Sequence, residues 1–311
     1  MSLSKEKMEY IKDLYCRGFS YHDITERCKK VFNISISDDC IRYHCKRKFQ
    51  KKLSMVEKLE LDGISKVLCL SDIHCPHFDK ELVYGIVEKH KDEISSIVFN
   101  GDIIDCAEIS NFPAVGKVEI TEEMLKCHEM LKHIEQIAPD IPKFLIKGNH
   151  EVRWEKYLAT NETPLVKLHS TNILSEIVKG FDVYNHQNNS YIQCEPLTNY
   201  TIIDNWYMLY KDTIFCHPIS FSKVKGKVAT MAIEYFIQQD KKFSNIFVAH
   251  THKTARIKYY GIYGIEQGCL CKEMKYSNNG KLTYTPQDLG YALCVFKDGK
   301  LDINETRCYL L

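Results

Sequence analysis

Short clusters of histidine, aspartate and asparagine recur along the middle of this chain. They supply the nitrogen and oxygen donors that borderline divalent metal ions prefer. Two carboxylates, one amide and four imidazoles are more than a single tetrahedral ion needs, and they suit two ions that share a bridging carboxylate. Two such ions can clamp a phosphate and stabilise both oxygens of an in-line displacement. The seven candidate ligands are Asp72, His74, Asp102, Asn149, His217, His250 and His252.

An apolar, strand-like run precedes most of these clusters. The runs cover residues 67–70, 97–99, 144–146, 214–216 and 246–249, and a candidate ligand follows each of them. Because ligands bind at the carboxyl ends of strands in an α/β sheet, we expect the clusters to converge there. From residue 64 onward strand patterns alternate with helical ones, which predicts an α/β domain.

The intervening elements are predicted from periodicity and turn signals. Apolar residues at spacings of three and four predict a helix between the Asp102 and Asn149 clusters, and a second helix is expected around residues 228–239. Asn279-Gly280 and Asp298-Gly299 predict β-hairpins. The first helix is carried by Met124, Cys127, Leu131, Ile134 and Ala138.

The amino-terminal residues form three short helical patterns. Gly18 ends the first, Ser20 is a candidate N-cap for the second, and Ser37 opens the third. This small all-α, trihelical arrangement resembles a helix-turn-helix module, whose last helix contacts nucleic acid. The alternative is a packing or dimerisation unit with a solvated basic face. The candidate nucleic-acid residues are Arg42, Lys46, Arg47 and Lys48.

Charge and length support a two-part organisation. The chain has 311 residues and a net charge of +1, but residues 1–55 carry +6 and the remainder −5. Such asymmetry favours an amino-terminal segment that meets a polyanion. We predict a helix-turn-helix-like domain over residues 1–52, a linker over 53–63 and a larger domain over 64–311.

Targeting and redox signals are weak. No apolar run has the character of a signal peptide or the length of a membrane span, so a cytoplasmic protein without membrane contact is expected. The 14 cysteines are scattered, which favours free thiols over a disulfide framework. Cys269 and Cys271 could form a metal or redox pair, but without a second pair they are interpreted as structural.

The ordered motifs resemble the signature of the calcineurin-like metallophosphoesterases. The resemblance covers about residues 64–255 and rests on Asp72-x-His74, Gly101-Asp102, Gly148-Asn149-His150-Glu151, His217 and His250-x-His252. It implies a four-layer α/β/β/α sandwich with two metal ions at the strand ends. A looser resemblance is to compact phage and prophage members that carry a helix-turn-helix ahead of the catalytic domain.

The resemblance also implies roles for individual residues. Asp72, His74 and His252 would hold the first ion, and Asn149, His217 and His250 the second. Asp102 would bridge the two ions, and His150 would lie beside the scissile phosphate and assist the leaving oxygen. Asp102 and His150 are therefore the candidate catalytic residues. The ions are expected to be Mn²⁺, with Fe²⁺, Ni²⁺ or Zn²⁺ as alternatives.

The chain departs from the family pattern in two respects, and the second affects the expected substrate. Ala249 stands where the last motif usually has glycine, and it is small enough to preserve close packing. Lys147 and Cys106 stand where protein phosphatases of this superfamily carry arginines, which argues against a phosphoprotein substrate.

Three functions are compatible with these patterns. The first is a two-metal phosphoesterase that hydrolyses phosphodiester bonds, in DNA, by attack of a metal-activated hydroxide, with the amino-terminal module as the targeting element. The second is a phosphatase or phosphodiesterase acting on a small nucleotide or phosphoester, with that module serving oligomerisation. The third is a non-enzymatic, metal-containing regulator that binds DNA.

Overall fold

The computed structural model of the chain divides into two compact units, Met1–Lys58 and Leu59–Leu311. It describes residues 4–16, 20–34, 36–44, 63–112, 115–161, 164–273 and 286–311. The predicted contact residues Lys46, Arg47 and Lys48, the Asn279-Gly280 turn and nearly all of the 53–63 linker lie outside these described residues.

Three helices are described in the first unit: α1 (Lys5–Cys16), α2 (Tyr21–Phe32) and α3 (Asp38–His44). The hydroxyl of Ser20 accepts a hydrogen bond from the amide of Asp23 at 3.1 Å, and so caps α2 as predicted. The hydroxyl of Ser37 accepts from the amide of Cys40 at 3.2 Å at the start of α3. The helices share one small apolar cluster, formed by Ile11, Leu14, Ile24, Cys28, Ile36 and Ile41.

The second unit is a mixed α/β structure, as the alternation of patterns predicts. Its helices are α4 (Lys80–His90), α5 (Ile120–Ile137), α6 (Glu151–Thr160), a short 3₁₀ helix (Pro164–Leu168), α7 (Ile173–Lys179) and α8 (Lys227–Gln238). Its strands are β1 (Ile64–Leu70), β2 (Ser96–Asn100), β3 (Lys143–Ile146), β4 (Phe181–Asn185), β5 (Ser190–Cys194), β6 (Tyr200–Ile203), β7 (Tyr207–Tyr210), β8 (Thr213–Cys216), β9 (Asn245–Val248), β10 (Thr254–Tyr259), β11 (Ile262–Gln267), β12 (Gly290–Lys297), β13 (Lys300–Leu301) and β14 (Arg307–Leu310).

These strands form two large sheets and a separate hairpin. The seven-stranded sheet has the order β13-β12-β1-β2-β3-β6, with β14 also paired to β12. In it β1, β2, β3 and β6 run parallel, and β12 is antiparallel to β1. The five-stranded sheet has the order β10-β11-β9-β8-β7, with β8, β9 and β11 parallel. The β4–β5 pair is the hairpin.

Three apolar clusters show how these elements pack. The first joins α4, α5 and α7 to one face of the seven-stranded sheet. The second lies between the two sheets, where Val67, Val98 and Ile146 meet Phe215 and Phe247. The third joins α8 to the other face of the five-stranded sheet. Because both sheets are covered on two faces, their central strands are continuous apolar runs rather than alternating ones.

The predicted helices and one predicted turn are confirmed. The apolar stripe between the second and third clusters forms α5, and the stripe around residues 228–239 forms α8. Asp298-Gly299 connects β12 to β13, with Lys297 paired to Lys300. Within the described ranges, every helix is too short or too polar to cross a lipid bilayer.

Candidate metal centre

The seven candidate ligands lie in loops that leave the carboxyl ends of β1, β2, β3, β8 and β9. Backbone hydrogen bonds hold these loops together. The amide of Asp72 donates to the carbonyl of Gly101 at 3.1 Å, and the amide of His74 donates to that of Asp102 at 2.9 Å. Between β8 and β9, the amide of Ala249 donates to the carbonyl of Cys216 at 3.1 Å. The strand-end placement predicted from the sequence is confirmed.

One group of donor atoms comes from Asp72, His74 and His252. Nε2 of His252 lies 3.2 Å from Nε2 of His74 and 3.3 Å from Oδ1 of Asp72. All three side chains are buried or nearly so. A hydrogen atom on either imidazole satisfies only one such contact, whereas a shared cation would satisfy them all.

A second group comes from Asp102, Asn149 and His217. Nε2 of His217 lies 3.1 Å from Oδ2 of Asp102 and 3.2 Å from Oδ1 of Asn149. Nδ1 of His217 donates to the carbonyl of Asn100 at 2.8 Å, which leaves the Nε2 lone pair free for a cation. His250 belongs to the same group, since its ligand atom lies within 4.8 Å of those of Asp102 and His217.

Asp102 is common to both groups. Its Oδ2 is 3.1 Å from His217 in the second group and 3.7 Å from Nε2 of His74 in the first. Ligand atoms bound about 2.1 Å from one ion stand about 3.0–3.4 Å apart, so the contacts of 3.1–3.3 Å found in each group match the spacing of a coordination shell. The donor set therefore fits two divalent ions with the Asp102 carboxylate between them.

The loops carry these side chains on strained backbone. Five candidate ligands have a positive φ, between 48° and 74°: Asp72, His74, Asp102, His250 and His252. Such conformations are uncommon for residues other than glycine, and they cluster at functional sites. Adjacent glycines permit the close packing. A Cβ on Gly101 would stand 2.3 Å from Nδ1 of His217, and a Cβ on Gly148 would stand 2.3 Å from Oδ1 of Asp102.

The protonation equilibria of the centre are strongly coupled to its buried carboxylates. Burial opposes ionisation of Asp102, but His150 and His217 hold the pKa of Asp102 well below its usual range. Burial likewise disfavours protonation of His217, yet Asp102 raises the pKa of His217 to about 9. Burial and His217 lower the pKa of His250 to about 4. Bound cations would replace the protons that these imidazoles otherwise share.

His150 lies at the edge of the centre and is held by Asp105. Nδ1 of His150 is 2.8 Å from the carbonyl and 2.9 Å from Oδ1 of Asp105, so Nδ1 carries the hydrogen. Its Nε2 lies 2.8 Å from Nη2 of Arg153 and 3.7 Å from Oδ2 of Asp102. The same Asp105 oxygen is 3.1 Å from Nδ1 of His74. Asp105 is therefore placed to orient both imidazole rings.

Glu151 joins two of the ligand loops. Its buried carboxylate accepts hydrogen bonds from the amides of Asp102, Ile103, Ile104 and Gly148, at 2.7–3.2 Å. The sequence motif contains Glu151, but it does not indicate this role, because three of the four donors lie 47–49 residues away along the chain.

The structure places Cys269 and Cys271 beside His252, which the sequence does not predict. Sγ of Cys271 is 3.8 Å from Nδ1 of His252, and the amide of Gln287 donates to both thiols. Cys271 also falls in a possible ligand group with His74 and His252. Their interpretation as isolated structural thiols is therefore incomplete.

Three basic side chains outside the ligand set have different surroundings. Arg153 faces His150, whereas Lys225 is paired with Asp288. Arg42 belongs to the amino-terminal unit, where its side chain lies 3.3 Å from Asp39 and is about half exposed, at 51%.

A cavity of about 520 Å³ opens beside the second ligand group. Asn149 and His217 form one side of it, and Trp206, Met231 and Tyr235 are part of the apolar remainder. The position of Trp206 is tied to the centre, because its carbonyl accepts the amide of His217 at 2.8 Å. The sequence gives no signal for this cavity, since its walls come from a strand end and a distant helix.

The family model for the calcineurin-like phosphoesterases matches residues 65–254. The chain belongs to this family. This membership, together with the convergence of the ordered motifs in one centre, identifies the protein as a metal-dependent phosphoesterase. The family model spans the ligand loops from Asp72 to His252.

Solved structures similar to this phosphoesterase are distant in sequence. Vacuolar protein sorting 29 from Cryptosporidium parvum is 11% identical, with 80% of this chain and 99% of that chain covered and a TM-score of 0.37. A metallophosphoesterase from Sphaerobacter thermophilus is 14% identical, with coverages of 79% and 88% and a TM-score of 0.37. A novel archaeal phosphodiesterase is 13% identical, with coverages of 79% and 99% and a TM-score of 0.36. None of the curated proteins compared matches the chain.

Proposed function

We propose that this phosphoesterase uses two divalent ions to hydrolyse phosphodiester bonds, with DNA as the substrate. The observation that carries the proposal is the position of Asp102, whose carboxylate is shared by two groups of donor atoms. The first site would consist of Asp72, His74 and His252, and the second of Asn149, His217 and His250. Two bound ions supply an activated water nucleophile and neutralise charge on the phosphate. Mn²⁺ is the proposed metal. The mixed nitrogen and oxygen donors also suit Fe²⁺, Ni²⁺ and Zn²⁺, which are the alternatives.

His150 is proposed to act on the leaving oxygen. Asp105 fixes the Nδ1 hydrogen, and in the structure Nε2 accepts a hydrogen bond from Arg153 at 2.8 Å next to Asp102. Burial lowers the pKa of His150, but Asp102 and Asp105 outweigh burial and raise it. Nε2 is proposed to hold the proton for the leaving oxygen once the Arg153 guanidinium has turned from Nε2 to the phosphate, because a guanidinium cannot accept a hydrogen bond. Arg153 adds a second positive group 2.8 Å from Nε2, where it can contact a phosphate oxygen.

The amino-terminal unit is proposed to be a helix-turn-helix-like module that targets the enzyme to DNA. The excess of +6 over residues 1–55 supports this role, because phosphate contacts dominate affinity for DNA. In the described residues the side chain of Arg42 on α3 is 51% exposed, and Lys29 and Lys30 lie in the last turn of α2. Lys46, Arg47 and Lys48 are proposed to continue the same basic segment.

A small nucleotide or phosphoester is the second candidate substrate, with the amino-terminal unit serving oligomerisation. The cavity of about 520 Å³ beside Asn149 and His217 favours it, because its size falls in the range of small-molecule sites. The charge of −5 over residues 56–311 also provides little attraction for a long polyanion.

A substrate panel with the Mn²⁺-loaded chain tests these proposals. We expect turnover of a nitrophenyl phosphodiester and of labelled DNA, in duplex or single-stranded form. Turnover of a phosphomonoester alone would refute the phosphodiesterase. Turnover of small diesters without DNA cleavage would instead support the second candidate.

Binding of the full-length chain to DNA tests the amino-terminal module. Arg42→Ala should weaken binding to DNA and reduce the dependence of binding on salt. Lys300 is an exposed lysine of the second unit, which we call the catalytic unit, and Lys300→Ala should have neither effect. Equal effects of the two substitutions would remove the argument for a dedicated DNA-binding module.

A further inference from the structure

We propose that the cavity beside Asn149 and His217 binds the nucleobase of a nucleoside esterified to the scissile phosphate. This inference rests on the proposed phosphodiesterase function and specifies the substrate group that its centre recognises. A cavity of about 520 Å³ accommodates such a group.

The cavity shares two residues with the candidate metal centre. Asn149 and His217 line the cavity. Their candidate ligand atoms, Oδ1 of Asn149 and Nε2 of His217, lie 3.2 Å apart in the metal centre. A phosphate held by the metal centre would therefore project one of its ester groups toward the cavity. The group that occupies the cavity would thus be part of the substrate and not a separate ligand.

An aromatic cluster contributes to the cavity lining next to these ligands. Trp206 stacks on Phe236 with ring centres 5.2 Å apart and an angle of 24°, and it meets Tyr235 edge-on at 5.4 Å. Phe236 is buried and holds the stack in place, whereas Tyr235 remains 45% exposed at the cavity. Rigid aromatic rings are the side chains on which nucleobases stack.

The charges of the cavity favour an uncharged planar group. Among the described residues that line it, apart from the candidate metal ligand His217, which contacts Asp102, the acidic and basic side chains are Asp204 and Lys147, which pair with each other at 2.7 Å. A second phosphate would find no unpaired cation there. Asn205 and Ser220 provide polar groups next to the apolar wall, as the edges of a base require.

The exposed apolar surface around the cavity is otherwise unexplained. Met231 is 39% exposed and Ile219 is 69% exposed, although both line a cavity of the catalytic unit. Clustered apolar side chains at a cavity mark a binding surface more often than a solvated one.

Two substrates with the same leaving group isolate the contribution of the cavity. Thymidine 5′-(4-nitrophenyl) phosphate carries a base, and methyl 4-nitrophenyl phosphate does not. We expect the Mn²⁺-loaded enzyme to prefer the thymidine ester in kcat/KM by at least about tenfold, since stacking on aromatic side chains contributes this order of affinity. Hydrolysis of a single-stranded oligonucleotide is measured in parallel. It distinguishes a base that belongs to a DNA strand from one that belongs to a free nucleotide.

Met231→Trp should fill the cavity and reduce this preference by about 5- to 100-fold. The matched control is Ile237→Trp, on the same helix and with a similar exposure of 38%, but not part of the cavity lining; it should keep the preference. Trp206→Ala should act in the same direction as Met231→Trp by removing the stacking surface. Quenching of tryptophan emission by thymidine monophosphate, but not by inorganic phosphate, provides a readout independent of turnover.

The outcomes separate this inference from the proposed function. If the methyl ester is hydrolysed as well as the thymidine ester, the base site is refuted while the phosphodiesterase stands. If neither ester is hydrolysed, the phosphodiesterase fails and the base site fails with it. Equal losses of preference in the Met231 and Ile237 variants would also refute the base site, because only one of them lines the cavity.

Discussion

Replacing Asp105 by Asn tests whether this carboxylate orients both the candidate metal ligand His74 and the candidate catalytic residue His150. Oδ1 of Asp105 lies 3.1 Å from Nδ1 of His74 and 2.9 Å from Nδ1 of His150. Asn has the same shape and can keep an oxygen at that position, so the substitution removes the charge and preserves the contacts. Asp105→Ala removes the charge and, in addition, both hydrogen bonds.

The expected effect follows from the two hydrogen bonds. A bond to a charged group contributes about 1.5–3 kcal/mol and a neutral one about 0.5–1.5 kcal/mol, so each bond should weaken by about 1 kcal/mol in the Asn variant. That corresponds to about fivefold in metal affinity through His74 and about fivefold in kcat through His150. The Ala variant should lose about 10- to 100-fold in metal affinity, because the ring of His74 is no longer oriented.

Calorimetric titration of the metal-free chain with Mn²⁺ measures the first effect, and kcat at saturating Mn²⁺ measures the second. Asp79→Asn is the matched control, since Asp79 caps α4 through the amide of Leu82 and Asn caps a helix equally well. The reasoning is refuted if both Asp105 variants bind Mn²⁺ and turn over substrate as the parent does. It is also refuted if Asn and Ala have the same effect.

Three further predictions concern buried groups of the catalytic unit. His150→Ala should lower kcat by about 10²- to 10⁴-fold while metal content, measured by atomic absorption, is retained; loss of metal would contradict the role given to His150. Glu151→Gln should lower the free energy of unfolding by about 2–4 kcal/mol in urea, because two buried amides lose their acceptor, whereas Glu155→Gln on the same helix should change it by less than about 0.5 kcal/mol. Burial raises the pKa of Glu123 to about 8, so its contribution to stability is full below about pH 4.5 and is lost as the pH rises through 8. Glu123→Gln should therefore gain stability relative to the parent between pH 5.5 and pH 8, and a difference that does not vary with pH would contradict this assignment.

The positions of the candidate ligands could be predicted because each follows an element with a strong local pattern. The strands β2, β8 and β9 are buried along their whole length, so their apolar runs are unmistakable in the sequence. Since parallel strands end at the same edge of a sheet, the residues that follow the strands of each sheet could be expected to lie close together. The helix α5 was predictable for the same reason, because its buried face recurs every three or four residues.

The contacts that support these ligands could not be predicted in the same way. Glu151 binds amides almost fifty residues away, and Cys271 lies near His252 only after the two strands β10 and β11. Trp206, next to β7, and Met231, on α8, line one cavity because α8 packs on the sheet that contains β7. Such contacts depend on how distant elements dock, and no periodicity within a single element encodes them.

The four hydrogen bonds of Glu151 have a consequence for how the centre acquires its ions. The amides it binds belong to the loops after β2 and β3, which carry Asp102 and Asn149. Neither loop can relax without disturbing the other. Under the proposed two-ion function, Asp102 would also contribute to both sites, so binding of the first ion would order ligands of the second, and singly loaded molecules should be scarce.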